Sequence, residues 1–193
     1  MNVDTEELKQ FMASVDLSSS AGLDDKAEEC RFFLALAKTE TDRARFRWLV
    51  SAFLSAAYSY FEHTAFWACI ACTDEDTGED IPDEALLSAV REHVDVKQNK
   101  KYTSYVQTTA TRGILKRLYA LRHENAHLSP LSIMSVGLSL PEDFHLGWKV
   151  GSGFPLLAFC KEVMTEIGQL QCKAVACEAG AWPPPSQDFP EDY

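Results

Sequence analysis

The chain has 193 residues, 46% of them hydrophobic and 24% charged, an ordinary globular balance for one domain that can bury a core without disulfide support. Its net charge of −11, from 18 basic and 29 acidic residues, excludes a broad, sequence-blind grip on nucleic acid while leaving room for a local basic pocket. The polar, acidic N-terminus (Asp4, Glu6, Glu7) has no basic n-region, so no signal peptide is expected, and the six cysteines are read as reduced thiols of a cytosolic protein.

In chain order the pattern is helical almost throughout. A short amphipathic piece, Thr5 to Val15, precedes a first helix from about Asp24 to Lys38, with Phe32, Phe33 and Leu36 expected on its buried side. The longest helix runs from about Thr41 to Cys72, capped by Thr39 or Thr41. Its middle (Trp48, Leu49, Phe53, Leu54, Tyr58, Phe61, Phe66, Trp67) is apolar on nearly every side, which predicts a central or interfacial helix. Glu62, His63 and the basic flank Arg43, Arg45, Arg47 argue against a membrane span there. Ser51, Ser55 and Ser59 form a flat row that lets another helix approach, either within the chain or from a dimer partner. Cys69-Ile-Ala-Cys72 is formally a C-x-x-C pair, but it ends an apolar helix and reads as buried small hydrophobes.

An acidic loop, Thr73 to Asp83, leads to a short helix over about Pro82 to His93. The next helix starts between Tyr102 and Thr109, buries Ile114, Leu118 and Leu121, and runs to about Ala126, with Pro130 stopping it. Leu131 to Leu140 and Phe144 to Val150 alternate weakly around Pro141, so a β-hairpin insertion fits there. A last helix covers Phe154 to about Glu178. The domain is therefore placed at 1–178, with an acidic, proline-rich tail at 179–193. The expected fold class is all-α: a helical bundle with a long central helix and a small hairpin before the last helix.

Residues 121 to 129, Leu-Arg-His-Glu-Asn-Ala-His-Leu-Ser, carry the chemistry and support two readings. From His123 they spell His-Glu-x-x-His, the zinc-protease signature, in which two imidazoles one turn apart bind metal and Glu124 activates water. From Arg122 they spell Arg-x4-His. By chance the first pattern is expected about 0.01 times in such a chain and the second about 0.2 times. Context points the other way. No strand is evident before residue 123, Pro130 stands where the longer zinc motif needs Gly, and Glu142, Glu162 and Glu166 are unmarked as third ligands.

The long apolar helix Phe46-Arg-Trp-Leu-Val-Ser-Ala-Phe-Leu-Ser-Ala-Ala-Tyr-Ser-Tyr-Phe-Glu, then Leu-Tyr-Ala-Leu-Arg-His-Glu-Asn-Ala-His, then a closing helix resembles the HEPN superfamily (higher eukaryote and prokaryote nucleotide-binding). The resemblance covers roughly residues 24 to 178. Arg122 matches the motif Arg, His127 the motif His, and His123 the polar position, which is most often Asn or Asp in the family.

The resemblance implies a metal-independent endoribonuclease of toxin or phage-defence type, with no cofactor and with RNA, a second copy of the chain, and a cognate antitoxin or regulatory protein as partners. His127 would relay protons, a task for a group that titrates near neutral pH. Arg122 would hold the scissile phosphate. Asn125 or His123 would orient the phosphate or the other imidazole. Lys116, Arg117 and Glu62 are the candidate substrate-binding residues, and Arg122 is a candidate partner for Glu62. The wider basic run is Lys97, Lys100, Lys101, Arg112, Lys116, Arg117 and Arg122. The alternatives are a non-catalytic dimeric binding module of the same kind and, third, the zinc metalloprotease.

Geometry adds a condition. Residues five apart on an α-helix are about 140° apart around its axis, so Arg122 and His127 converge only if the helix breaks near Ala126 or a two-fold partner supplies one of them. A homodimer with a composite site follows. His93 and His145 read as surface residues, and Tyr102 and Tyr119 as packing.

Overall fold

The computed structural model describes residues 25–99, 106–147 and 153–178. The expected Thr5 to Val15 helix, the 179–193 tail, and Lys100, Lys101 and Tyr102 lie outside the described residues.

Helix α1 spans Asp25–Ala37 and α2 spans Arg43–Cys69. A two-residue ladder, β1 (Cys72–Thr73) with β2 (Asp80–Ile81), closes the acidic loop, whose turn uses Gly78 at φ 70°. Helix α3 (Glu84–Arg91) leads into β3 (Val94–Gln98), which pairs antiparallel with β4 (Val106–Ala110) in the register Val94↔Ala110 to Gln98↔Val106. Helix α4 (Gly113–His127) carries the motif. Strands β5 (Ile133–Ser135), β6 (Phe144–Leu146) and β7 (Phe154–Pro155) form a three-stranded antiparallel sheet in that order, and α5 (Leu156–Glu178) ends the described chain.

The all-α expectation is thus corrected: five helices and three small antiparallel sheets make a mixed α/β architecture among the described residues. The main miss lies just before α4. Val94 and Val96 alternate with polar residues, and the run 106–111 contains Val106, Thr108, Thr109 and Thr111, whose β-branched side chains favour extended backbone over a helical turn. The strands bury Val94, Thr108 and Ala110 against the helices. The motif helix therefore begins at Gly113, later than its expected start between residues 102 and 109. The predicted hairpin after Pro130 is present as β5–β6, with β7 as a third strand.

Helix α2 is the centre, touching every other described helix and β4. Its start is capped by Asp42, whose carboxylate accepts from the N–H groups of Ala44 and Arg45, so neither Thr39 nor Thr41 is the cap. One face, Phe46, Val50, Phe53, Leu54, Ala57, Phe61, Ala65 and Ala68, is buried at helical spacing. Each of its large side chains contributes about 2 kcal/mol by leaving water. The helix is not buried all round, because Trp48 is 62% and Trp67 48% exposed. Helix α1 likewise buries Ala27, Cys30, Leu34 and Ala37, while Phe32 and Leu36 face outward. The smaller residues make the inward row because they hold the i, i+3, i+7 spacing that lets α1 lie close against α2. No described helix is long and apolar enough to cross a membrane.

Candidate functional site

The motif sits at the end of α4, whose inner face of Leu115, Leu118 and Leu121 is buried against α2 and α5. The helix stays unbroken through His127; Leu128 closes it by donating its N–H to the Glu124 carbonyl at 2.8 Å. Pro130, which has no N–H to give, follows directly. The convergence of Arg122 and His127 by a helix break near Ala126 therefore does not occur.

Arg122 and Asn125 lie on the border facing α2. The Arg122 guanidinium stacks 4.5 Å from the Tyr58 ring centroid, and Tyr58 packs edge-on against Tyr119, with centroids 4.6 Å apart. The Tyr58 hydroxyl donates to Glu62 Oε1 at 2.5 Å, so Glu62 serves Tyr58 and makes no ion pair with Arg122. The Tyr119 hydroxyl shares a 2.6 Å hydrogen bond with Thr108 of β4, and burial raises its pKa, which keeps it a phenol. Ser51 Oγ shares its proton between the Arg47 carbonyl (2.8 Å) and Asn125 Oδ1 (3.2 Å). Asn125 thus ties the motif to α2.

His123 and His127 lie on the outer face, both exposed, with ring centroids 4.9 Å apart. Lys116 is exposed, and at seven and eleven residues before them it lies on the same stripe of the helix. Arg117 is turned off this stripe, its guanidinium 4.6 Å above the Phe154 ring. The single chain brings His123 to His127 and Arg122 to Tyr58; it does not bring Arg122 to His127.

Among the described residues no third His, Cys, Asp or Glu joins the imidazole pair to complete a metal site. Strands do precede the motif helix, contrary to expectation, but only as two separate two-stranded ribbons, β1–β2 and β3–β4. Of the three considered ligands, Glu166 is committed elsewhere, to the one polar cluster that sequence reasoning missed.

That cluster surrounds His93, which is fully buried and not a surface residue. Glu166 of α5 lies 2.9 Å from His93 Nδ1 and accepts from Arg112 Nη1 at 2.7 Å. Arg112 also donates through Nε to the Glu92 carbonyl at 3.0 Å, and Lys173 pairs with the Glu92 carboxylate. Arg112 holds the N-cap position of α4 without capping it, since its side chain is drawn into this network. It is therefore not part of a free basic face. Burial and the neighbouring Arg112 lower the His93 pKa against the pull of Glu166. The neutral ring donates from Nδ1, and buried Nε2 has no hydrogen-bond partner, so a second proton there would go unsatisfied. The only signal in the sequence was His93 beside Val90 and Val94, a charged-type residue between core positions.

No model of a known family matches the chain, and no curated protein or solved structure does.

Proposed function

We propose that the chain is a metal-independent endoribonuclease of the Arg-x4-His type, acting as a homodimer in which two motif ends face one cleft. One observation carries the reading. Arg122 is half-buried, stacked on Tyr58, and has no carboxylate partner among the described residues, so its planar N–H fork is held rigid and unfilled. A cation positioned in this way, on the same helix end as an exposed imidazole pair, suits a phosphodiester.

One imidazole takes the proton of the ribose 2′-hydroxyl as its oxygen attacks phosphorus. A second, protonated imidazole gives its proton to the departing 5′-oxygen. The products are a 2′,3′-cyclic phosphate and a 5′-hydroxyl. Because His123 and His127 stand side by side, one chain can present both imidazoles, while the facing copy supplies its Arg122 to offset charge growing on the phosphorane oxygens. Lys116, on the same stripe, binds a neighbouring phosphate. The biological setting this chemistry fits is a toxin or phage-defence nuclease restrained by an antitoxin or regulatory protein.

The second reading, a dimeric module that binds nucleotide or protein without cleaving, is favoured by the separation of Arg122 from His127 within one chain. Incubation of the purified protein with labelled RNA in EDTA tells them apart. Cleavage to cyclic-phosphate ends, lost in Arg122→Ala and in His127→Ala, supports the nuclease. Intact RNA with a dimer in solution supports the module.

A further inference from the structure

The arginines that open α2 lie outside the motif. Asp42 makes no ion pair with them; its carboxylate accepts from the N–H groups of Ala44 and Arg45. None of Arg43, Arg45 and Arg47 forms an ion pair among the described residues, although acidic residues outnumber basic ones 29 to 18 in the chain. Arg43 and Arg47, one helical turn apart, line one side of an open cleft of about 550 Å³. The segment Pro130 to Met134 and Gly147, just after β6, line the rest of it, with Leu131, Ile133 and Met134 as its large apolar side chains. Gly147 adopts φ 140°, a conformation L side chains rarely take, and its N–H donates to the Ser132 carbonyl at 3.0 Å.

We propose that this cleft binds the backbone of single-stranded RNA, with Arg43 and Arg47 on successive phosphates and a base against Ile133 and Met134. This rests on the ribonuclease reading above and names where its substrate enters. Two features join the cleft to the motif. Pro130, on the cleft wall, is three residues beyond His127, at most about 11 Å of chain. On the other side, Ser51 lies one turn after Arg47 and bonds both the Arg47 carbonyl and Asn125. A strand lying between the arginines is therefore led along α2 to the end of α4. Two planar guanidinium forks in one cleft with apolar side chains fit alternating phosphates and bases better than a free phosphate, which has nothing to place on Ile133 and Met134.

The test uses the full chain with His127→Ala, so that RNA survives, and a fluorescein-labelled oligouridylate of about ten residues, within the usual span of a single-strand groove. Anisotropy titrations run from 50 to 200 mM salt. Adding Arg43→Ala and Arg47→Ala removes two phosphate contacts, so the slope of log affinity against log salt falls by about 1.4 and the salt-induced loss of affinity shrinks about 7-fold. Arg43→Lys with Arg47→Lys keeps the slope, which guards against a folding defect in the alanine variant. An unchanged slope in the alanine variant overturns the proposal. So does displacement of the RNA by inorganic phosphate or by an acidic peptide at the concentration at which unlabelled RNA displaces it. Arginine-dependent binding without cleavage by the unmodified chain upholds the cleft and overturns the nuclease.

Discussion

Two histidine environments stand at opposite ends of α4. At its start, His93 is enclosed, with Glu166 on one nitrogen and Arg112, Glu92 and Lys173 completing a ring of compensated charge. At its end, His123 and His127 are exposed and form no ion pair among the described residues, and Arg122 stacks on Tyr58 with no carboxylate partner among them. The first arrangement fixes protonation and position together, which is what a structural joint requires. The second leaves two adjacent imidazoles open to solvent. A histidine flanked by core residues and a histidine pair on a helix surface thus sit in opposite surroundings.

The largest expected effect breaks the second region alone. On the nuclease reading proposed above, replacing His127 by Ala lowers RNA cleavage by about 10²–10⁴. Arg122→Ala lowers it by about 10²–10³. Urea unfolding of His127→Ala stays within about 0.5 kcal/mol of the parent, because that side chain is exposed. Cleavage that survives both changes would make the two ends alike in having no chemistry.

Breaking the first region should show the reverse signature. Glu166→Ala strands Arg112 and the His93 ring and lowers stability by about 3 kcal/mol in urea unfolding. A loss under 1 kcal/mol would mean that the cluster is no joint. Between the two ends, Tyr119→Phe leaves the buried Thr108 hydroxyl without its partner and costs about 1 kcal/mol by the same measurement.

The smallest effect concerns pH. The folded-state pKa of His93 is lowered from 6.5, so the unfolded chain takes up its proton first as pH falls. The contribution is complete above 6.5 and is lost on acidification through and below that value, so stability rises with pH across this window. His93→Gln should flatten the urea midpoint plotted from pH 7.5 to pH 5; an unchanged slope would show that His93 does not set the dependence.

Long, strongly patterned elements were legible in the sequence. The spans of α1, α2 and α5 and the hairpin after Pro130 follow from apolar spacing and proline punctuation. The β3–β4 ribbon was not, because five-residue strands beside threonines resemble a polar lead-in to a helix. The faces of α1 and α2 were misjudged for a related reason: size suggested Phe32 and Trp48 as core, whereas spacing selects Cys30 and Val50. At the site, Arg122, His123, Asn125 and His127 could be named from one nonapeptide, since all lie on one helix. Tyr58, Glu166 and Arg112 could not, because their roles come from contacts across 64, 73 and 54 residues respectively (Tyr58 with Arg122, His93 with Glu166, Arg112 with Glu166).

The position of Arg112 has a mechanical consequence. Helix α4 is 15 residues long, about 22 Å, and is clamped at its first turn by a guanidinium bound to α5. Its far end is fastened separately, by Ser51 on Asn125 and by Tyr58 under Arg122, so the helix is held at both ends. Over that length a tilt of about 3° at the first turn corresponds to about 1 Å at the tip, so the two fastenings fix the same direction from opposite ends. The direction of the motif end is thus set partly at Arg112, some four turns from His127.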